Sequence, residues 1–418
     1  MNQSRRLFCK TSLGAGCLSA GTRSSLARKP SGPDKAELDR ILAQPVLRRD
    51  LFPAPVKIES LELLRDGKQF LMRVRSAEGA ESITVPNNSR VLDVYPMLIG
   101  NVFPYFIGKD ARDLETHLWE VYRYQSNYKF QGLAFWVCVA TVEMALLDLL
   151  GLISGKPIGE MLGGVRRREI GVYRASGNRG NTPEAEIDYL RKVVAETGAK
   201  AIKFRLGGRM SGNADSLPGR TEALIPLVRK TFGSDFTLYG DSNSSYDVAN
   251  AIRIGRLMEE NKYAMFEEPC EFDDLWAHKQ VSDALSIPVG LGEQEFSMRR
   301  FQWTIENRAA DIMQPDLHYF GGYIRCTRVA RMAAAAGMPC TLHLSESGFA
   351  YLNILHFASY VQDPGPFQEF KGETGIPFLC DTSPLKCRNG KVLCPSGPGF
   401  GIKVDPDYIR KFRPVQEV

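Results

Sequence analysis

FTLYGD (236–241), YAMFEE (263–268) and IPVGLGE (287–293) are three short apolar runs, and each carries an acid at or beside its end: Asp241, Glu267 and Glu293. The acids follow one another at intervals of 26 residues. A strand, a helix and two loops occupy roughly 25–30 residues, one repeat of a (β/α) barrel. Equal spacing at strand ends therefore predicts three carboxylates on adjacent parallel strands, converging at one rim. Three such charges repel unless a hard divalent cation neutralises them, which makes Asp241, Glu267 and Glu293 candidate metal ligands.

The rhythm continues on both sides. KAIKFRL (200–206) precedes the triad and places Lys203 and Arg205 two residues apart, on one strand face. DIMQPD (311–316) ends at Asp316, PCTLHL (339–344) carries His343, FQEFK (367–371) carries Glu369, and EIGVYRA (169–175) opens the series. Eight short strands result, separated by stretches with apolar residues at three- and four-residue spacing, such as PEAEIDYLRKVVAETG, DVANAIRIGRLMEENK and GGYIRCTRVARMAAAAG. Strand–helix alternation at this interval predicts a parallel sheet closed into a barrel.

With these motifs, and with FIGKDARDLE (106–115), ALLDLLGLISGKPIGEMLGG (145–164) and GPGFGIKVD (397–405) around them, the chain resembles the enolase superfamily in its mandelate racemase-like branch. The resemblance covers nearly everything after about residue 56. It implies an α/β protein with a (β/α)7β TIM-type barrel at 166–385 and an α+β capping domain at 50–165. A C-terminal tail, 386–418, would return to the cap. It implies Mg²⁺, with Mn²⁺ as a substitute, on Asp241, Glu267 and Glu293. Asn243 matches a supporting polar position and Asp316–His343 an Asp–His dyad. Lys203 matches the first residue of a Lys-x-Lys pair whose second residue is Arg205 here. Glu369 matches an acid that hydrogen-bonds the developing enolate. Substrate would lie between cap and rim, with specificity from cap loops around Tyr95–Phe106 and from Arg174.

The chemistry follows from residue types. Removing a proton α to a carboxylate needs stabilisation of a dianionic enolate, which a divalent cation and a cation such as Lys203 supply. His343 titrates near working pH, and Asp316 can fix its tautomer and raise its basicity. Arg205 stays protonated and cannot act as a second base. One-sided abstraction followed by loss of a β-hydroxyl is dehydration, so the expected reaction converts an acid sugar to a 2-keto-3-deoxy acid. His343 or, alternatively, His318 would protonate the leaving hydroxyl. A racemase, epimerase or cycloisomerase on the same scaffold stays open, as does a non-catalytic acid-sugar binder.

A chain of 418 residues with 44% hydrophobic content can bury a large core. KIESLELLRDG, KQFLMRVRSAEG and AESITVP (57–86) read as a three-stranded meander turning at Asp66-Gly67 and Glu78-Gly79. LAFWVCVATVEMALLDLLGLI runs 21 residues from Leu133, long enough to cross a bilayer, but contains Glu143 and Asp148. It reads as a core helix, with no stable membrane insertion.

SRRLFCK (4–10) resembles a twin-arginine export signal and is followed by the weakly apolar TSLGAGCLSAG, so residues 1–30 are expected to be a leader and the protein periplasmic. Those residues hold six Lys and Arg and no acids, so without them the net charge of +5 becomes −1. The remainder offers no case for nucleic acid. A small-molecule carboxylate is the expected partner, in a homo-oligomer. Nine cysteines include Cys9 and Cys17 in the leader; Cys380, Cys387 and Cys394 are close enough in sequence for a disulfide.

Overall fold

The computed structural model describes residues 32–346, 348–372 and 378–415. The leader reading falls on residues outside that range. The meander forms as an antiparallel sheet of β1 (Ile58–Asp66), β2 (Gln69–Ser76) and β3 (Glu81–Thr84). Its two tight turns are made by Gly67 and Gly79, both at positive φ, where a side chain would be strained. Arg413–Pro414, near the C-terminus, pairs with β1, so the end of the chain does return to this sheet. The earlier part of the tail behaves differently: Lys391–Leu393 pairs antiparallel with the barrel strand Glu169–Ala175.

The parallel sheet follows the expected order. Its strands are β4 (Glu169–Ala175), β5 (Ala201–Arg205), β6 (Thr237–Asp241), β7 (Met265–Glu267), β8 (Val289–Leu291), β9 (Ile312–Met313) and β10 (Gln368–Phe370). They pair in sequence order from β4 to β9, and β10 pairs back onto β4. The predicted seventh strand, PCTLHL, is reduced to two isolated bridges, Met313↔Cys340 and Asp316↔His343. It still occupies the place between β9 and β10, since Thr341 N–H donates to the Met313 carbonyl and Leu344 N–H to the Glu369 carboxylate. The result is a curled parallel sheet of TIM-barrel type with helices outside it and the meander and its helices alongside. Tyr173, Ala175, Ala201, Tyr239 and Met265 fill the barrel interior, as the two-residue strand period requires.

The apolar 133–153 stretch lies within the helix Leu133–Ser154, whose residues are almost all buried in protein. Its two acids have specific work. Glu143 accepts from the N–H groups of Tyr323 and Ile324 at 3.0 and 2.8 Å, capping the helix Tyr323–Ala335 from another element. A side chain at Gly322 would collide with that carboxylate. Asp148 accepts from Ser82 Oγ and Phe400 N–H, joining the helix to β3 and to the C-terminal segment. Glu143→Ala strands two buried donors, and is expected to lower unfolding stability by about 2–4 kcal/mol in urea titrations.

Burial also pushes Glu143 up to about 8 from 4.5. The native carboxyl then holds its proton more tightly than the unfolded one, so its stabilisation is present at low pH and declines as pH rises from 4.5 to 8.

Of the three clustered cysteines, Cys380 and Cys394 carry free thiols, and Cys387 Sγ donates to the Thr197 carbonyl.

Candidate active site

All the predicted acids lie at the C-terminal rim. Asp241 and Glu267 are the last residues of β6 and β7, and Glu293 lies two residues past β8. One oxygen from each lies within 4.8 Å of the others, and all three residues are buried. Three hard oxygen donors this close, away from water, fit a small divalent cation. The buried Glu293 Oε2, which has no hydrogen-bond donor among the described residues, agrees with that reading.

Cations of the chain lean on the same carboxylates. Lys203 Nζ donates to Glu267 Oε1 at 2.6 Å and lies 3.3 Å from Glu369 Oε1 and 3.5 Å from Asp241 Oδ2. Burial alone would lower its pKa, but Glu267 and Glu369 outweigh burial and hold it above the ordinary lysine value. Burial likewise opposes ionisation of Glu267 and Glu369, and Lys203 reverses that in both. Arg205 ion-pairs with Asp241 and donates to Asn243 Oδ1 at 3.1 Å. Gln314 Nε2 donates to the second Glu267 oxygen at 2.8 Å, fixing that carboxylate from both sides.

The dyad is built across the bridge that replaces the seventh strand. His343 Nδ1 lies 2.9 Å from Asp316 Oδ2, and its Nε2 lies 3.5 Å from Glu293 Oε2, so the ring is aimed at the acid cluster. Asp316 is saturated: His318 and Tyr319 N–H groups donate to Oδ1, and Ser345 N–H donates to Oδ2 beside His343. Burial would raise its pKa, but the His343 bond keeps it below the usual value. For His343, burial works against protonation, yet Glu293 and Asp316 raise the pKa.

Residues 186–408 match the family described as Enolase C-terminal domain-like, more than half of the chain. The chain belongs to that family. It is 25% identical over 325 residues to an arabinonate dehydratase of Saccharolobus solfataricus, covering 77% of this chain and 84% of that protein. It is 29% identical to a D-galactarolactone cycloisomerase of Agrobacterium fabrum, covering 74% and 82%. A crystal structure provisionally titled as a racemase, from Roseobacter denitrificans, superposes with a TM-score of 0.79 at 31% identity, covering 86% of this chain and 99% of that one.

Within this enolase-like barrel three expectations meet a different arrangement. Arg174 alternates with Tyr173 and Ala175 of the barrel interior, so it faces the helical layer: it donates to the Phe370 carbonyl and its guanidinium lies 5.5 Å from the Phe370 ring. His318 is buried beside Asn353 of the helix Phe349–Tyr360, 3.4 Å from its Nδ2, and burial lowers its pKa. Neither joins the acid cluster. Tyr95–Phe106 is helical rather than loop, and packs against the helix Leu133–Ser154. The part of the cap that reaches the rim is 87–90: Asn87 donates to Ser345 Oγ, Asn88 and Ser89 N–H donate to Glu346, and Arg90 donates to Tyr319, whose ring neighbours His343.

Sequence reading missed Gln314, Glu268 and Arg179. Asn243, Ser244 and Glu268 all have positive φ, a sparsely populated conformation for non-glycine residues that concentrates at functional sites. The Asn243–Ser244 turn folds Asn243 back, so that its N–H donates to Asp241 and its amide nitrogen lies 3.4 and 3.5 Å from Glu268 and Glu293. Glu268 was legible as the second acid of YAMFEE, but nothing in the sequence says that it too turns inward.

Proposed function

We propose that this protein is a Mg²⁺-dependent hydro-lyase that dehydrates an acid sugar to a 2-keto-3-deoxy acid. Support comes from the names of its relatives and, above all, from one observation: a single Asp–His dyad faces the acid cluster, and the strand carrying Lys203 and Arg205 offers only cations. Mg²⁺ held by Asp241, Glu267 and Glu293, with Mn²⁺ as substitute, supplies electrostatic stabilisation of charge developing on the substrate carboxylate.

The chain's own residues do the rest. Asp316 accepts the Nδ1 proton of His343 and so leaves Nε2 unprotonated and facing the site. His343 Nε2 takes the α-proton. The same imidazolium then gives a proton to the departing β-hydroxyl, which leaves as water, and the resulting enol tautomerises to the 2-keto acid. Lys203 stays protonated between Glu267 and Glu369 and offsets negative charge on the substrate. Arg205 stays charged for the reason any guanidinium does. Asn243 positions Asp241 and Glu293. Incubation with a library of acid sugars, with semicarbazide detection of 2-keto acid, is expected to give product. Interconversion of two epimers without keto acid would replace this reading by an epimerase with Lys203 as second base.

The domain arrangement supporting this site is a cap at 50–165, a barrel at 166–385 and a tail from 386. We take the leader reading with it: SRRLFCK directs export by the twin-arginine route to the periplasm. Arg5→Lys combined with Arg6→Lys is expected to leave unprocessed protein in the cytoplasm on fractionation. Processed protein outside the cytoplasm would remove the export reading.

A further inference from the structure

Three arginines meet at the active-site rim, beside the acid cluster. Arg179, in the loop after β4, Arg205 at the end of β5 and Arg209 just beyond it all donate to the same neutral atom, Asn243 Oδ1, the latter two at 3.1 and 3.5 Å. Arg205 has Asp241 as its counter-ion. Arg179 has none among the described residues: its other bonds go to the carbonyls of Leu206 and Gly207, and Arg209 has Asn243 alone. Burial first, and then the neighbouring Arg205, Arg209 and Arg220, depress Arg179 to about 9, against the opposing pull of Glu293. Asn243 Nδ2 meanwhile lies 3.5 Å from Glu293 Oε1, so the cluster adjoins the acids expected to receive the reacting carboxylate.

Gathering guanidinium groups on one amide oxygen is unfavourable unless an anion joins them, and a planar carboxylate suits a guanidinium fork. A uronic or aldonic acid carries one carboxylate, which the reaction consigns to the acid cluster, leaving Arg179 and Arg209 without a carboxylate of their own.

We infer that the substrate is a sugar acid with a carboxylate at both ends, and that Arg179 and Arg209 receive the carboxylate remote from the reacting carbon. The inference rests on the reading of the site as one for acid sugars. It makes Arg179 and Arg209 specificity-determining residues and leaves proton transfer to His343.

The test compares matched diacid and monoacid pairs, galactarate with galactonate and glucarate with gluconate, in the full-length Mg²⁺-loaded protein. The wild-type is expected to favour one diacid over its monoacid by about 10²-fold or more in kcat/KM, and Arg179→Gln to reduce that ratio by about 10–10²-fold. Arg209→Gln, at an exposed position, is expected to reduce it in the same direction without risk to folding. Calorimetric binding of the same pairs to His343→Asn gives a readout independent of turnover. Equal use of monoacids and diacids by the wild-type would overturn the inference, and so would variants that slow both members of a pair alike. Diacid-selective binding without turnover of any acid sugar would instead remove the proposed reaction and leave the second carboxylate site standing.

Discussion

His343→Asn is expected to lose keto-acid formation and α-deuterium exchange in D₂O together, while still binding Mg²⁺ and substrate. Removing a positioned general base costs on the order of 10²–10⁴ in rate, and more where the same imidazole also protonates the leaving group. The expectation is specific because His343 is the one imidazole aimed at the acid cluster, whereas His318 turns toward Asn353. Asp316→Asn should give a smaller version of the same defect. Three backbone N–H groups would still surround the side chain, but an amide no longer holds the Nδ1 proton with a charge. Persistent α-proton exchange in His343→Asn, measured by NMR, would sink the one-base mechanism.

Chelation is expected to bring turnover to background, and Mg²⁺ to restore it, with Mn²⁺ as a partial replacement. Glu267→Gln should not be rescued by added metal, and its loss should exceed about 10²-fold. Glu267 is held on both oxygens, by Lys203 on one and Gln314 on the other. Its replacement therefore removes a ligand and also frees Lys203 from the partner that keeps it oriented. Calorimetric metal titration separates the two effects: unchanged Mg²⁺ affinity in Glu267→Gln, together with full activity after chelation, would remove the metal assignment.

The clustering of Asp241, Glu267 and Glu293 and the pairing of Asp316 with His343 were legible because these residues sit where a barrel repeat ends. A side chain at the C-terminal end of a parallel strand has its direction set by strand parity and its height by the ladder, so equal spacing in sequence becomes convergence in space. Lys203 and Arg205 were legible for the same reason, two residues apart on β5. Arg174 was misread because parity has to be known for each strand separately. With Tyr173 inside the barrel, its neighbour must face out, and only the β4 register with β5 and β10 decides which of the two is inside. The helix Leu133–Ser154 reads from sequence alone as a bilayer-length segment with two misplaced acids. Their purpose became visible only when Glu143 was found on the N-terminus of a helix 180 residues away.

By itself, then, the sequence determined the barrel repeat, the three evenly spaced acids Asp241, Glu267 and Glu293, the spacing of Asp316 and His343, and the pairing of Lys203 with Arg205 on one strand. Each is a matter of periodicity or of side-chain chemistry that context cannot change. The tertiary structure alone decided what depends on backbone turns and on distant partners. The positive-φ turn at Asn243–Ser244 sets where Asn243 points, and three arginines, one ending β5 and two from loops, meet on its oxygen. The reduction of the seventh strand to bridges leaves Ser345 N–H and Leu344 N–H free to hold Asp316 and Glu369. Loop conformations of this kind follow from packing between elements far apart in the chain, which no local pattern of residues encodes.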